Sequence, residues 1–232
     1  MGDINMKKFL SLFSSRGVYS VEKENEYYRG GKADRSAIDY RHLDKYVDGS
    51  IGLDFFQGKS VLDVGAGEGV YSAWIADRGA AKRVVGLELT EHRIRREYEE
   101  KLANLKFVCG DIFNIGDSLG TEQFDVVFLN LVLHHLRFDL IRAIQTMGEH
   151  LRTGGILVAF EPNFYSPFSL VAHMLHERSA NEGFLSPHRA AAALSSAGFS
   201  NIKTGYFWRD RPWAKNPILA SSIWIIAQKS GK

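Results

Sequence analysis

The chain has 232 residues, 45% of them apolar and 24% charged, an ordinary globular composition that speaks against disorder of the bulk. Lys and Arg number 29 against 27 Asp and Glu, for a net charge of +2, so net charge gives no case for a polyanion-binding role. The single cysteine, Cys109, excludes an internal disulfide framework and any multi-cysteine zinc site.

A chain of this length buries roughly 70% of its unfolded surface and needs no staple to stay folded. Residues 1–10 carry two lysines and an apolar stretch too short and too interrupted for a signal peptide. The apolar runs near 126–133 and 218–227 fall short of the roughly 20 residues needed to cross a bilayer. The expectation is a cytoplasmic protein without a membrane segment.

Residues 1–57 are polar with scattered aromatics, broken at Gly30-Gly31, with a candidate helix over 36–46; they read as an N-terminal helical cap. From Lys59 the pattern changes. Ser60 to Val64 predicts a strand, and the Gly-rich stretch Gly65-Ala66-Gly67-Glu68-Gly69 leads into a helix ending near Gly79. Arg83 to Glu88 predicts a second strand, and Thr90 is placed to cap a charged helix reaching Ala103. Leu105 to Cys109, Phe124 to Leu129 and Ile156 to Phe160 predict three more strands, with a helix over 138–151 between the last two. Near-continuous apolar strands alternating with helices are the pattern of a doubly wound, parallel α/β sheet covered on both faces.

After Pro162 the alternation stops. Residues 162–186 read as irregular, 187–197 as a short Ala-rich helix, and 201–207 and 222–227 as two final strands. A connection as long as 162–186 favours a lid over a binding site. Its aromatic and imidazole residues are Phe164, Tyr165, Phe168, His173, Met174, His176 and Phe184.

Asp63-Val64-Gly65-Ala66-Gly67-Glu68-Gly69 stands at a strand-to-helix turn. Glycines there let a ligand approach the backbone closely, and the helix start offers free N–H groups. The dinucleotide fingerprint is G-x-G-x-x-G; here the spacing is G-x-G-x-G, and Val70 holds the place of the last dinucleotide glycine. Glu68 inside the loop suits a ligand carrying positive charge better than a pyrophosphate, which favours S-adenosylmethionine (SAM) over NAD. Glu88 ends the second strand about twenty residues on, where a carboxylate accepts from both ribose hydroxyls. Asp111 and Ile112 follow the third strand, placed for an adenine amino group and ring face.

Taken together, Val61 to Gly69, Gly86-Leu87-Glu88, Gly110-Asp111-Ile112 and Phe124 to Val127 resemble the class I SAM-dependent methyltransferase family, over roughly residues 58–161. The resemblance implies a Rossmann-like, seven-stranded, mainly parallel sheet whose last strand is antiparallel. It implies a SAM site. In that site Asp63 orients the loop and the methionine amino group, and Gly65, Ala66 and Gly67 lie against the methionine portion. Glu88 takes the ribose, Leu89 flanks the adenine, Asp111 and Ile112 meet its edge, and the backbone of Asn130 meets the amino group. Leu133-His134-His135-Leu136 resembles a sequence that many small-molecule members carry after the fourth strand. In a ubiquinone-forming subgroup two glutamates and a histidine there hold a metal; here Leu131 and His134 stand where those glutamates fall.

Methyl transfer needs alignment and a dry site, and a hydroxyl acceptor also needs a base. His134 and His135 are the candidate bases. Adjacent residues diverge, so one of the two is expected to act. Glu161, at the end of the fifth strand, shapes the acceptor site or orients a histidine. His173, His176 and Glu177 would share a helical face, but the order H-x-x-H-E is not the zinc-protease motif, and no metal is expected. Tyr206, Trp208, Trp213, Arg209, Arg211 and Lys215 read as a hairpin loop over the substrate mouth, and Tyr27-Tyr28-Arg29 as a flap over the cofactor. Arg93/Glu97 and Arg96/Glu100 read as i,i+4 pairs on a solvated face.

The reading is a SAM-dependent methyltransferase of a small molecule, acting on oxygen. N- or C-methylation in the same fold and a SAM-binding partner protein without turnover are the alternatives; a nucleic-acid acceptor and a short-chain dehydrogenase fit less well. The acceptor and the oligomeric state are not legible.

Overall fold

Ser60–Val64 (β1) is buried along its whole length, as a strand covered on both faces must be. Around it lie Arg83–Glu88 (β2), Leu105–Cys109 (β3), Phe124–Asn130 (β4), Leu151–Pro162 (β5), Phe199–Phe207 (β6) and Ser222–Lys229 (β7). The helices are Val70–Asp77 (α1), Glu97–Lys101 (α2), Ile115–Leu119 (α3), Leu140–Glu149 (α4), Pro167–Leu175 (α5) and Pro187–Ser196 (α6). This computed structural model describes residues 19–23, 26, 43–44, 47–175, 181–207 and 216–231.

The strands form one seven-stranded sheet in the order β3-β2-β1-β4-β5-β7-β6. Every pairing from β3 across to β5 is parallel. β7 runs antiparallel to both its neighbours, β5 and β6. The strand order therefore reverses between β1 and β4, and the carboxyl ends of those two strands bound the crevice where open α/β sheets bind ligands.

Side chains alternate across the sheet with the period-2 pleat. Leu62, Val64, Val85, Leu87, Val127 and Leu129 face one core with Ile115 of α3, Ile144 and Met147 of α4 and Leu194 of α6. Val61, Val84, Val126, Phe128, Val158 and Phe160 face the other, with Trp74 and Ile75 of α1 and with Phe56 and Phe207. Edge-to-face ring contacts run from Trp74 through Phe56 and Phe128 to Phe160, at centroid distances of 6.2, 5.7 and 5.6 Å, a geometry worth roughly 0.5–1.5 kcal/mol per pair beyond burial. Leu43 and Val47 join that second core, and Trp74 Nε1 donates to Asp44 at 2.8 Å, so the described end of the N-terminal region packs on the α1 layer. Most of the candidate helix over 36–46 lies outside the described residues.

Several local expectations are corrected. Thr90 makes no capping bond, only a 3-10 turn follows it at Glu91–Arg93, and α2 starts late, at Glu97. The Arg93/Glu97 and Arg96/Glu100 pairs do not form. Arg95 meets Glu97 at 2.7 Å, Arg96 meets Glu91 at 2.8 Å and Glu99 at 3.1 Å, and Arg93 turns inward to Glu88 instead. The 162–186 stretch is not irregular throughout, since it contains α5. β5 begins at Leu151, earlier than expected, because Leu151 pairs with Phe124 ahead of an irregularity in the β4–β5 ladder, and Gly154 there takes φ +76°. α6 follows its local signals: Ser186 accepts from Arg189 N–H, and Pro187 opens the helix.

Candidate cofactor and acceptor site

The glycine loop leaves β1 and is stitched to the end of β2. Gly65 and Ala66 N–H both donate to Leu87 O, at 2.8 and 3.0 Å. Gly65, Gly67 and Gly69 all take positive φ, at +72°, +58° and +81°, which L side chains adopt only under strain. Two of them also lack room. A Cβ on Gly65 would come within 2.6 Å of Val132 Cγ2, and one on Gly69 within 2.2 Å of the Phe107 ring. The glycines thus let the loop pass between β4 and β3 while keeping its backbone bare.

Three carboxylates line this loop. Asp63 is 2% exposed and accepts from Ser72 Oγ of α1 at 2.5 Å. Burial pushes its carboxyl up to about 7; the Ser72 hydrogen bond opposes this and the charge of Glu88 adds to it. Glu88, 4% exposed, accepts from Gly67 N–H at 2.8 Å and from Thr90 N–H at 3.2 Å. One bond per oxygen leaves each oxygen with acceptor capacity for a diol. Arg93 Nη1 approaches Glu88 at 3.9 Å. Asp111 is spent partly on its own turn, accepting from Phe113 N–H at 3.0 Å, and Ile112 beside it is buried. Leu89 is half-buried at the end of β2, and Asn130 is half-buried at the end of β4. All the cofactor residues expected from sequence therefore gather at the carboxyl ends of β1 to β4. The chemistry of this cradle, acidic and without side chains in the loop, fits a ligand that carries a sulfonium and an ammonium.

The acceptor side starts one residue further on. Leu131 takes φ +60°, an uncommon conformation for a bulky residue and a mark of local constraint. Val132 follows, against Gly65, and then the 3-10 turn Leu133–Leu136, all of it buried. Glu161 of β5, fully buried, accepts from the N–H groups of Val132, Leu133 and His134 at 3.0, 2.8 and 3.3 Å. Its Oε2 also lies 2.7 Å from Nδ1 of His134. A single carboxylate thereby holds the start of the turn and the first imidazole.

The rings of His134 and His135 do not diverge: their centroids are 4.3 Å apart. Side-chain rotation overrides the divergence expected of neighbours in a turn. His135 Nε2 lies 3.8 Å from Glu182 Oε1. Glu182, in the stretch before α6, was missed at the level of sequence, where a lone acid in a loop carries no signal. Phe164 approaches His134 at 6.4 Å and Phe184 at 5.4 Å, and Tyr165 approaches Phe184 at 5.6 Å. Burial and neighbouring Tyr165 raise the Tyr206 phenol above its usual range. The side chain of His173 and residues His176 and Glu177 lie outside the described residues, as do Tyr27, Tyr28, Arg29, Trp208, Arg209, Arg211, Trp213 and Lys215.

Comparison with known proteins agrees with this cradle. Residues 62–159 match the family described as Methyltransferase domain, the span from β1 to β5 that carries the loop, Glu88, Asp111 and the histidine turn. Residues 62–159 are a class I SAM-dependent methyltransferase domain, and SAM is the cofactor of such a domain. Trans-aconitate 2-methyltransferase of Deinococcus radiodurans is 30% identical over 154 residues, 62% of this chain and 56% of that protein. Ubiquinone biosynthesis O-methyltransferase of Coxiella burnetii is 31% identical over 116 residues, 49% of this chain and 46% of that one. The chain spans about half the length of these curated relatives. The fold matches that of the solved DhpI–SAH complex with a TM-score of 0.64 at 18% identity, over 94% of this chain and 100% of that one. Among the described residues, no helix is long and apolar enough to cross a membrane.

Proposed function

We propose that the chain transfers the methyl group of SAM to an oxygen of a small molecule. The observation that carries this reading is the coupling of two half-sites through one residue. Val132 packs on Gly65 of the cofactor loop and, through its N–H, on Glu161, which in turn orients His134. Cofactor and acceptor groups are thus held in one rigid frame, as alignment for an in-line displacement requires.

In this reading Asp63, Gly65, Ala66 and Gly67 hold the methionine portion, Glu88 the ribose, Leu89, Asp111 and Ile112 the adenine, and Asn130 the amino group. SAM supplies the methyl on a sulfonium. The chain excludes water and removes the acceptor's proton at the His134–His135 pair, with Glu161 orienting the first ring. Residues 1–57 act as a cap, 162–186 as a lid whose Phe164, Tyr165 and Phe184 face the acceptor, and the protein works in the cytoplasm without a nucleic-acid partner. Of the relatives, the Coxiella protein is by its name an O-methyltransferase, which supports oxygen as the acceptor atom.

The test is transfer of isotopically labelled methyl from SAM to panels of carboxylates, phenols and amines. Label in an ester or ether, lost in His134→Ala and His135→Ala while SAM still binds, supports the reading. Label in amines alone, with both variants fully active, overturns oxygen transfer and the role of the pair.

A further inference from the structure

Glu182 brings a second buried carboxylate to the imidazole pair. It is 8% exposed, and its Oε1 stands 3.8 Å from His135 Nε2, too far for a hydrogen bond. Two donors each roughly 2.1 Å from one tetrahedral ion stand about 3.4 Å apart, so the gap is close to that of ligands sharing a cation. One nitrogen from each imidazole and one oxygen of Glu182 lie within 4.8 Å of one another, all on buried residues. The outer support is also present. Glu161 Oε2 at 2.7 Å from His134 Nδ1 fixes the ring and leaves Nε2 as the nitrogen that would coordinate, the carboxylate–histidine arrangement that ordinarily backs a metal ligand. The stretch carrying Glu182 is itself anchored. Gly183 N–H donates to His134 O at 3.0 Å, and Asn181 exchanges hydrogen bonds with the Ser20 backbone at 3.0 and 3.3 Å.

We infer that His134, His135 and Glu182 form a site for one divalent cation of the zinc class. Two imidazoles and one carboxylate with an open fourth position are the donor set of a catalytic rather than a structural zinc site, and imidazoles disfavour magnesium and calcium. Glu161 and Glu182 flank the pair, and a dication offsets both buried charges. The other charge at this end is Arg137, whose side chain runs so close to Gly183 that a Cβ there would stand 2.6 Å from its Nη1.

This deepens the functional reading and rests on it for its consequence. The acceptor oxygen takes the open position, and its O–H bond breaks with the proton leaving to water. The oxygen's electron pair then forms the bond to the methyl carbon as the carbon–sulfur bond breaks, its pair staying on sulfur. The expectation from sequence that the chain holds no metal is replaced by a site that needs Glu182, a residue distant in sequence.

The experiment is calorimetric titration of the metal-stripped full chain with Zn²⁺, and with Co²⁺ as a visible-absorption probe, beside binding of S-adenosylhomocysteine (SAH). The expected result is one ion per chain, a tetrahedral Co²⁺ spectrum, loss of binding in His135→Ala and Glu182→Gln, and binding about 10–100-fold weaker in Glu161→Gln. Glu182→Gln keeps shape and hydrogen-bonding capacity, and its unchanged melting curve and SAH binding exclude misfolding; should it unfold, Glu182→Asp takes its place, with weaker ion binding expected. No stoichiometric ion, or equal affinity in the Glu182 variants, overturns the site while leaving the methyltransferase reading intact. Ion binding without SAH binding would instead sink that reading and leave the cation site standing.

Discussion

The Nδ1 of His134 and Oε2 of Glu161 lie 2.7 Å apart, with Glu161 fully buried. The same carboxylate accepts from three consecutive backbone N–H groups, so its removal leaves several buried donors unsatisfied. Breaking a buried charged network of this kind costs about 3–5 kcal/mol. Glu161→Ala should therefore lower the melting temperature by roughly 6–15 °C for a chain of this size. Glu161→Gln, which keeps an acceptor for the turn, should melt higher than Glu161→Ala but lose turnover. Differential scanning calorimetry of the two variants checks this; equal melting of Glu161→Ala and the parent would contradict it.

Gly65 and Val132 are coupled by contact. Gly65→Ala adds a Cβ 2.6 Å from Val132 Cγ2 at a φ of +72°, combining strain with a clash worth about 2 kcal/mol or more together. Because the clash falls on a side chain, Gly65→Ala with Val132→Ala should recover part of the SAH affinity that Gly65→Ala alone loses. A double-mutant cycle on SAH binding measures the coupling, and strict additivity of the two losses would speak against it.

Asp63 gives a pH dependence with a definite sign. Burial pushes its carboxyl from 3.8 to about 7, so between those values the folded state binds more protons than the unfolded state. Stability then falls as pH rises through that window and levels off above it. Asp63→Asn should flatten this slope between about pH 4 and about pH 7, read from denaturation midpoints. A cationic cofactor favours the ionised form, so SAM binding to the parent should release a proton and tighten from about pH 6 to about pH 8. Calorimetry in buffers of different ionisation enthalpy measures that release; equal heats in all of them would contradict the assignment.

Glu88 ties Gly67 to Thr90 and stands 3.9 Å from Arg93. Glu88→Ala should weaken SAH by at least about tenfold, since it removes two hydrogen bonds of a charged acceptor to the ribose at roughly 1.5–3 kcal/mol each. Arg93→Ala touches only the rim and should change affinity by less than about threefold. Fluorescence titration of both variants with SAH gives the comparison, and an inverted order would exclude Glu88 as the ribose acceptor.

The sheet and the cofactor cradle were legible because their signals are local. Runs such as Ser60 to Val64 read directly as buried strands, and the bare backbone at Gly65, Gly67 and Gly69 is written in the glycines themselves. The charged helix after Thr90 misled because Arg93 serves Glu88 rather than a helical neighbour, a tertiary preference that no i,i+4 pattern contains. The same holds for Glu182, whose meaning arises only when the stretch before α6 folds over His135. The parallel imidazoles of His134 and His135 depend on rotamers and on Glu161, neither of which spacing reveals.

The account's central claim is that the cradle of Asp63, Glu88 and the glycine loop binds SAM. Thermal unfolding with SAM, with SAH and with NAD tests it most directly. At about 100 times its dissociation constant a ligand of the folded state stabilises by roughly 2.7 kcal/mol, a rise of roughly 5–10 °C at this chain length. The account predicts that rise with SAM and SAH, none with NAD, and its loss in Glu88→Ala. A rise with NAD alone, or the same SAM shift in Glu88→Ala as in the parent, would contradict it.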